Sequence, residues 1–281
     1  MENTNDMSLK QKCYAYQQEA NYFLDSEKYI LVHVDGRSFS RLIKNKFKKP
    51  FDDEFINAMN ETAIYLCKSV QGCIFAYTQS DEISLIIRKN DPEGDVFFDG
   101  RMCKMQSIIA SLATSRFTQV MIENLLKSIP TCASAENVLD MCIDAVKNSP
   151  LYQFDCKVWN VDSANDAMAW LLFRNIDCVR NSKQQTAQTY LPHKRLMSLN
   201  TDEQISLLKQ EKNVDWNDFD DGKKYGRFIK KTEKVFEMNE SDKYENASYT
   251  RHVWEAVNGC DLTEPSNRET LINELNLKDN E

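Results

Sequence analysis

Ile74-Phe75-Ala76-Tyr77-Thr78-Gln79-Ser80-Asp81-Glu82-Ile83-Ser84-Leu85-Ile86-Ile87 places two apolar, β-prone runs on either side of a polar tip. That pattern predicts a β-hairpin with acids at its turn. Upstream, Val32-His33-Val34-Asp35-Gly36-Arg37-Ser38-Phe39 reads as a strand that ends in an acid, a glycine and a base. If the two segments share a sheet, Asp35 approaches Asp81. Two carboxylates at strand ends suit a hard divalent cation such as Mg²⁺, which brings triphosphates with it. Each half alone is weak evidence, because acids in turns and Asp-Gly after a strand are ordinary turn chemistry.

The flanking segments predict a larger unit. Residues 8–25 read as a helix and 29–35 as the first strand. A basic connection follows from Arg37 to Lys49, with its exit set by Pro50. Asp52 or Asp53 caps a helix running to about Val70, with Phe55, Met59, Ala63 and Leu66 at helical spacing. After the hairpin, Asn90-Asp91-Pro92-Glu93-Gly94 reads as a loop and Phe98 to Leu126 as a long helix. Arg101 and Lys104 share a face at its start, where bases oppose the helix dipole unless an anion is bound. Pro130 breaks the chain, 135–146 reads as a short helix within an insertion spanning 128–150, and 152–161 reads as a strand.

Strand, helix, hairpin, helix, strand is the split βαβ plan of ferredoxin-like folds. The expected fold class is therefore α+β: a ferredoxin-like, palm-type domain over 1–162 with a mainly helical C-terminal part over 163–281. In that part 164–187 is helical, with Arg174, Asn175, Asp177, Arg180, Asn181, Ser182 and Gln185 crowding one side. Those groups either meet solvent or reach a nucleotide. Residues 216–238 look partly extended, and a polar tail begins at about 262.

With 281 residues, 42% hydrophobic and 28% charged, the chain fits a globular protein with a sizeable core. No apolar run is long enough to span a bilayer, and no membrane partner is expected. Nine scattered cysteines without a Cys-x-x-Cys pair, and three histidines, argue against structural zinc and for buried thiols. The start, Met1-Glu2-Asn3-Thr4-Asn5-Asp6, carries no secretory pattern. A cytoplasmic location is expected, and a mitochondrial one stays open. The net charge of −8 has the wrong sign for a general nucleic-acid coat, which leaves local basic patches at 41–49 and 223–231.

Five ordered motifs then converge. They are Asp35-Gly36-Arg37-x-Phe39; Lys49-Pro50-x-Asp52; Ala76-Tyr77-x-Gln79-Ser80-Asp81-Glu82-x-Ser84; Phe154-Asp155; and Arg174-Asn175-x-Asp177-Cys178-x-x-Asn181-Ser182. Together, over about residues 10–235, the chain resembles the tRNA-histidine guanylyltransferases and their 3′–5′ polymerase-like relatives. The resemblance implies nucleotide addition to the 5′ end of tRNA, with ATP activating a 5′-monophosphate end and the 3′-hydroxyl of GTP or another NTP as nucleophile. It implies two Mg²⁺ ions on Asp35, Asp81 and the Gly36 carbonyl, supported by Glu82. It implies triphosphate or nucleotide contacts from Arg37, Ser38, Phe39, Lys49, Asp52, Ser80, Arg101, Lys104 and Asn181. It also implies a homo-oligomer, commonly a tetramer.

The guanylyltransferases proper carry His-Ile-Asn-Asn where this chain has Val179-Arg180-Asn181-Ser182, a version similar to the polymerase-like relatives. Those repair truncated tRNA by templated addition at the acceptor stem, so templated 5′-end repair is the expectation. Obligatory G addition to tRNA-His, nucleotidyl cyclisation and catalytically idle tRNA binding are the alternatives. Phe51 replaces a usual asparagine, and Cys156-Lys157 a usual Gly-Arg.

Overall fold

A computed structural model describes residues 7–19, 21–42, 46–89, 94–129, 135–237 and 248–277. The start at 1–6, the centre of the basic connection at 43–45, most of the loop expected at 90–94, and Pro130 with the next four positions of the insertion lie outside the described residues.

The elements in chain order are α1 (Leu9–Glu19), β1 (Tyr29–Gly36), α2 (Phe39–Leu42), α3 (Asp53–Ser69), β2 (Cys73–Gln79), β3 (Glu82–Ile87), α4 (Met102–Lys127), α5 (Ala135–Lys147), β4 (Phe154–Val161), α6 (Ala164–Tyr190), α7 (His193–Leu196), α8 (Thr201–Lys212), α9 (Asp221–Tyr225), β5 (Arg227–Glu237), β6 (Ser248–Asn258) and α10 (Pro265–Glu274). One antiparallel sheet runs in the order β4-β1-β3-β2-β5-β6. Its first four strands are the expected ferredoxin-like arrangement.

Alternation along β1 sends Ile30, Val32 and Val34 to one face, where α3 and α4 cover them, and Tyr29 and Leu31 to the other, under α6. Both faces are buried, so the strands read as continuous apolar runs. Among the described residues, no helix is long and apolar enough to cross a membrane.

Two expectations need correction. The first helix ends at Glu19 and buries nothing; the chain then pairs Phe23 with Arg101 in an isolated bridge. The long helix starts at Met102, because Phe98 and Asp99 take positive φ and stop it reaching back. Helices make up most of the regular structure of the C-terminal part, as expected, and β5 and β6 add two further strands to the sheet. Where β5 meets β2, Phe228 and Ile229 are buried on opposite faces, so no alternation marks the strand. Within the polar tail, Leu262, Leu271 and Leu277 are each at most 6% exposed and anchor α10 in the α6-side core.

Candidate active site at the end of the sheet

The β1 register sets Asp35 between Asp155 of β4 and Glu82 of β3. The period-2 pleat puts all three carboxylates on the α6 face, with His33 and its neighbours Ser84 and Lys157 one pair below. Asp81 comes from the two-residue turn between β2 and β3. Ser80 there adopts φ 48°, and its hydroxyl donates to Asp81 Oδ1 at 2.9 Å. The Gly36 amide donates to the Asp81 carbonyl at 3.0 Å. A Cβ on Gly36 would lie 2.9 Å from Asp81 Oδ2, so the Asp81 carboxylate sits over the end of β1.

Burial pushes the Asp81 carboxyl up to about 6, and the charge of Asp35 adds to the rise. Asp35 is also raised, chiefly by burial and next by Glu82 across the strand. Neither Asp35 nor Asp81 has an ion-pair partner among the described residues. Two uncompensated carboxylates at one strand end fit a divalent cation. Among the described residues there is no cluster of three or more His, Cys, Asp or Glu able to hold a metal. Further ligands would be the Gly36 carbonyl, phosphate oxygens and water, a mixed set that suits Mg²⁺ better than a closed protein cage.

Glu82, expected to support the metal acids, is itself held from α6. Arg174 of α6 grips it through Nε at 3.0 Å and Nη2 at 2.7 Å, and Gln79 donates to it at 2.7 Å. Arg174 also bonds Asp177 at 2.9 Å.

The acids open into a cavity of about 530 Å³, also lined by Gly36, Ser38, Lys49, Ser80 and Asn181. It shares Phe47, Lys48, Ser80, Asn181 and Gln185 with a second pocket walled by Phe47, Phe51, Phe55 and Ile56. One cleft therefore joins a hydroxyl-, lysine- and acid-lined end to an aromatic slot. Asp52 lines the slot and caps α3, accepting from the Phe55 amide at 2.9 Å.

Other expected contacts lie elsewhere. The Phe39 ring is 1% exposed and packs against Phe55, Phe117, Tyr152 and Phe154, so its side chain belongs to the core, while the residue itself lines the acid-end cavity. Arg37 donates to Gln153 Oε1 at 3.2 Å and lines a separate groove with Thr114 and Asp155. Arg101 and Lys104 stand at the far end of the sheet. Gly100 accepts from Leu24, and neighbouring Asp25 meets Asn160, which faces Ile30, five residues or roughly 17 Å along β1 from Asp35. Lys104 resolves its dipole conflict over the Phe98 ring at 4.5 Å.

The 223–231 patch is largely spent on internal pairs, with Lys223 on Asp53 at 2.9 Å, Lys224 on Asp221 at 3.0 Å and Lys230 on Glu274 at 2.7 Å. Arg227, within the 223–231 patch, lines the slot, and Phe219, which no motif singled out, backs Phe51 with a ring contact at 5.2 Å across 168 positions of chain.

Residues 12–162 match the family model of the tRNAHis guanylyltransferases (Thg1). An uncharacterized protein of Acanthamoeba polyphaga mimivirus is 29% identical over 226 residues, covering 77% of this chain and 74% of that one. A probable tRNA(His) guanylyltransferase of Dictyostelium discoideum is 36% identical over 90 residues, covering 32% of this chain and 34% of that protein, about a third of its length. A bacterial tRNA(His) guanylyltransferase (Thg1)-like protein solved in complex with ATP superposes with a TM-score of 0.75 at 25% identity, over 95% of this chain and 99% of that one.

Proposed function

The chain belongs to the tRNAHis guanylyltransferase family, a family of nucleotidyltransferases, and on that premise we propose that it is a Mg²⁺-dependent 3′–5′ nucleotidyltransferase that extends the 5′ end of truncated tRNA under the direction of the facing acceptor strand. The observation that carries this reading is the uncompensated Asp35–Asp81 pair at the mouth of a cleft that continues into an aromatic slot.

Asp35 and Asp81, with the Gly36 carbonyl, would hold the metal. Mg²⁺ bound there would supply Lewis-acid activation of the 3′-hydroxyl and charge neutralisation at the leaving phosphate. Lys49, Ser38 and Ser80 line the end of the cleft where a triphosphate would rest. Arg174 keeps Glu82 pinned so that the acids beside it stay in register. The aromatic slot takes the base, and the facing nucleotide of the RNA makes the choice of nucleotide to add. Val179-Arg180-Asn181-Ser182, in place of the histidine-containing run, supports templated repair over obligatory G addition. A homo-oligomer is the working form in this reading.

The test is a tRNA transcript lacking its first 5′ nucleotide, supplied as the triphosphate or as the monophosphate with ATP, with each NTP and Mg²⁺. Extension by the nucleotide complementary to the facing base is expected. Asp35→Asn and Asp81→Asn should each lose on the order of a thousandfold in rate, because several kcal/mol of charge stabilisation go with either ligand. Addition of G whatever the facing base would replace templating with obligatory G addition, and no extension by folded protein would sink the nucleotidyltransferase reading.

A further inference from the structure

β4 is one edge of the sheet, and its outer side pairs with no strand among the described residues. The Arg37 amide donates to the Gln153 carbonyl at 2.8 Å, which sets the alternation along the ladder. Residues 155, 157 and 159 turn their amides and carbonyls towards β1, and 154, 156, 158 and 160 turn theirs outward. The Phe154 amide obeys this order, since it donates to Thr114 Oγ1 at 3.2 Å instead of to β1. Cys156 and Val158 present the next two amides along the edge. The strand has neither a proline nor a register shift to blunt it.

Its charges decide what fits. Asp155 and Lys157 are exposed on the α6 face and form no ion pair among the described residues. Asp155 also stands directly opposite a like charge, Asp35. A single sign of charge on an edge strand repels a second copy. An acid and a base two residues apart instead complement the same pair running the other way. With a twofold axis at Cys156, two antiparallel β4 strands set Asp155 against the partner's Lys157 twice. The two Cys156 residues then exchange amide–carbonyl bonds, and each Val158 amide reaches the partner's Phe154 carbonyl. Moving the axis by one residue either way sets Asp155 against its own copy or Lys157 against its own. Beside the edge, α4 lines a groove of about 380 Å³ with Ala110, Ser111, Thr114 and Ser115, small side chains that leave room for a neighbouring chain.

We propose that this edge is a homodimer interface, in which β4 pairs antiparallel with β4 of a second copy about Cys156 and joins two six-stranded sheets. The interface stands apart from the reaction proposed above, and it goes beyond a homo-oligomer by naming the strand and its register. It also reaches the acid row: Asp155, with Asp35 on one side, gains the partner's Lys157 on the other.

Sedimentation equilibrium of the full chain, without RNA or nucleotide, tests it. The native chain should form a dimer or a multiple of one. Val158→Pro removes only an outward amide, so it should leave melting unchanged and weaken the association about tenfold or more. Asp155→Lys and Lys157→Asp should each weaken it about as much, because each sets two like-charge pairs across the axis. Combining the two restores opposite signs and should return the affinity to within about threefold of native. That recovery separates an interface role from damage to the fold, which a second charge reversal would not repair. A native chain that stays monomeric at its highest soluble concentration overturns the proposal. So does an oligomer whose affinity none of these variants moves, which places the interface on another face, and so does a double variant no tighter than the single ones.

Discussion

Arg174 and Glu82, 92 residues apart, are joined by a two-point contact, Nε to Oε2 at 3.0 Å and Nη2 to Oε1 at 2.7 Å. The contact ties α6 to the strand that carries the acid row. Both side chains are shielded, at 10% and 19% exposure. Arg174→Met leaves a carboxylate half-buried beside Asp35 without its cation. It should cost about 3–5 kcal/mol in urea unfolding. Adding Glu82→Gln should recover most of that loss; a double variant as unstable as the single one would show that the pair is not the source.

The metal-free protein should show the charge of Asp81 in its pH dependence. A folded-state pKa of about 6, above the ordinary 3.8, means that the folded state binds the proton more tightly. Stability from this group is full below the unfolded value and is lost as pH rises through about 6. His33 is depressed by burial and by Arg174, which has the opposite sense in an overlapping range, so the comparison is with a variant at each pH. Asp81→Asn should match the native protein near pH 4 and exceed it near pH 8 by on the order of 1–2 kcal/mol after allowance for solvent screening. Mg²⁺ should stabilise the native protein only above about pH 6, and Asp81→Asn at no pH. A flat difference between the two proteins would contradict the burial of this carboxylate.

Gly36→Ala should damage the site through space. Its Cβ would stand 2.6 Å from Phe39 Cδ2 and 2.9 Å from Asp81 Oδ2. The expected result is a loss of about 1–3 kcal/mol from overpacking, together with loss of the Mg²⁺-dependent rise in melting temperature. Retention of that rise would mean that the Asp81 carboxylate is not seated over Gly36.

Asn175 should behave as a structural residue. It is fully buried, donates to the carbonyls of Tyr225 at 3.0 Å and Cys260 at 3.1 Å, and accepts from the Leu262 amide at 2.9 Å. Asn175→Leu orphans the Leu262 amide and the Cys260 carbonyl. It should cost on the order of 2–5 kcal/mol by denaturant titration while leaving nucleotide affinity of the folded protein unchanged.

That residue shows where reading from sequence stops. Arg174, Asn175, Asp177, Asn181 and Ser182 form one polar cluster on paper. In space they divide: Asn175 and Ser182 are buried, Arg174 holds Glu82, and Asn181 lines the cleft. Helical spacing fixes which residues share a face, but not what stands opposite that face. Arg101 and Lys104 illustrate the same limit, since their helix begins at the end of the sheet remote from the acids.

The four-strand order and the convergence of Asp35 with the Asp81 turn were determined by the sequence alone. Runs of β-branched and aliphatic residues, a two-residue turn and strand–helix alternation are local signals, and connection rules leave few ways to join them. The burial of the Phe39 ring, the pinning of Glu82, the sixth strand, the entry of Arg227 into the slot and the contact of Phe219 with Phe51 were decided only by tertiary structure. Each joins segments distant in the chain, and such contacts depend on which faces meet after the sheet assembles, a property that no local pattern carries.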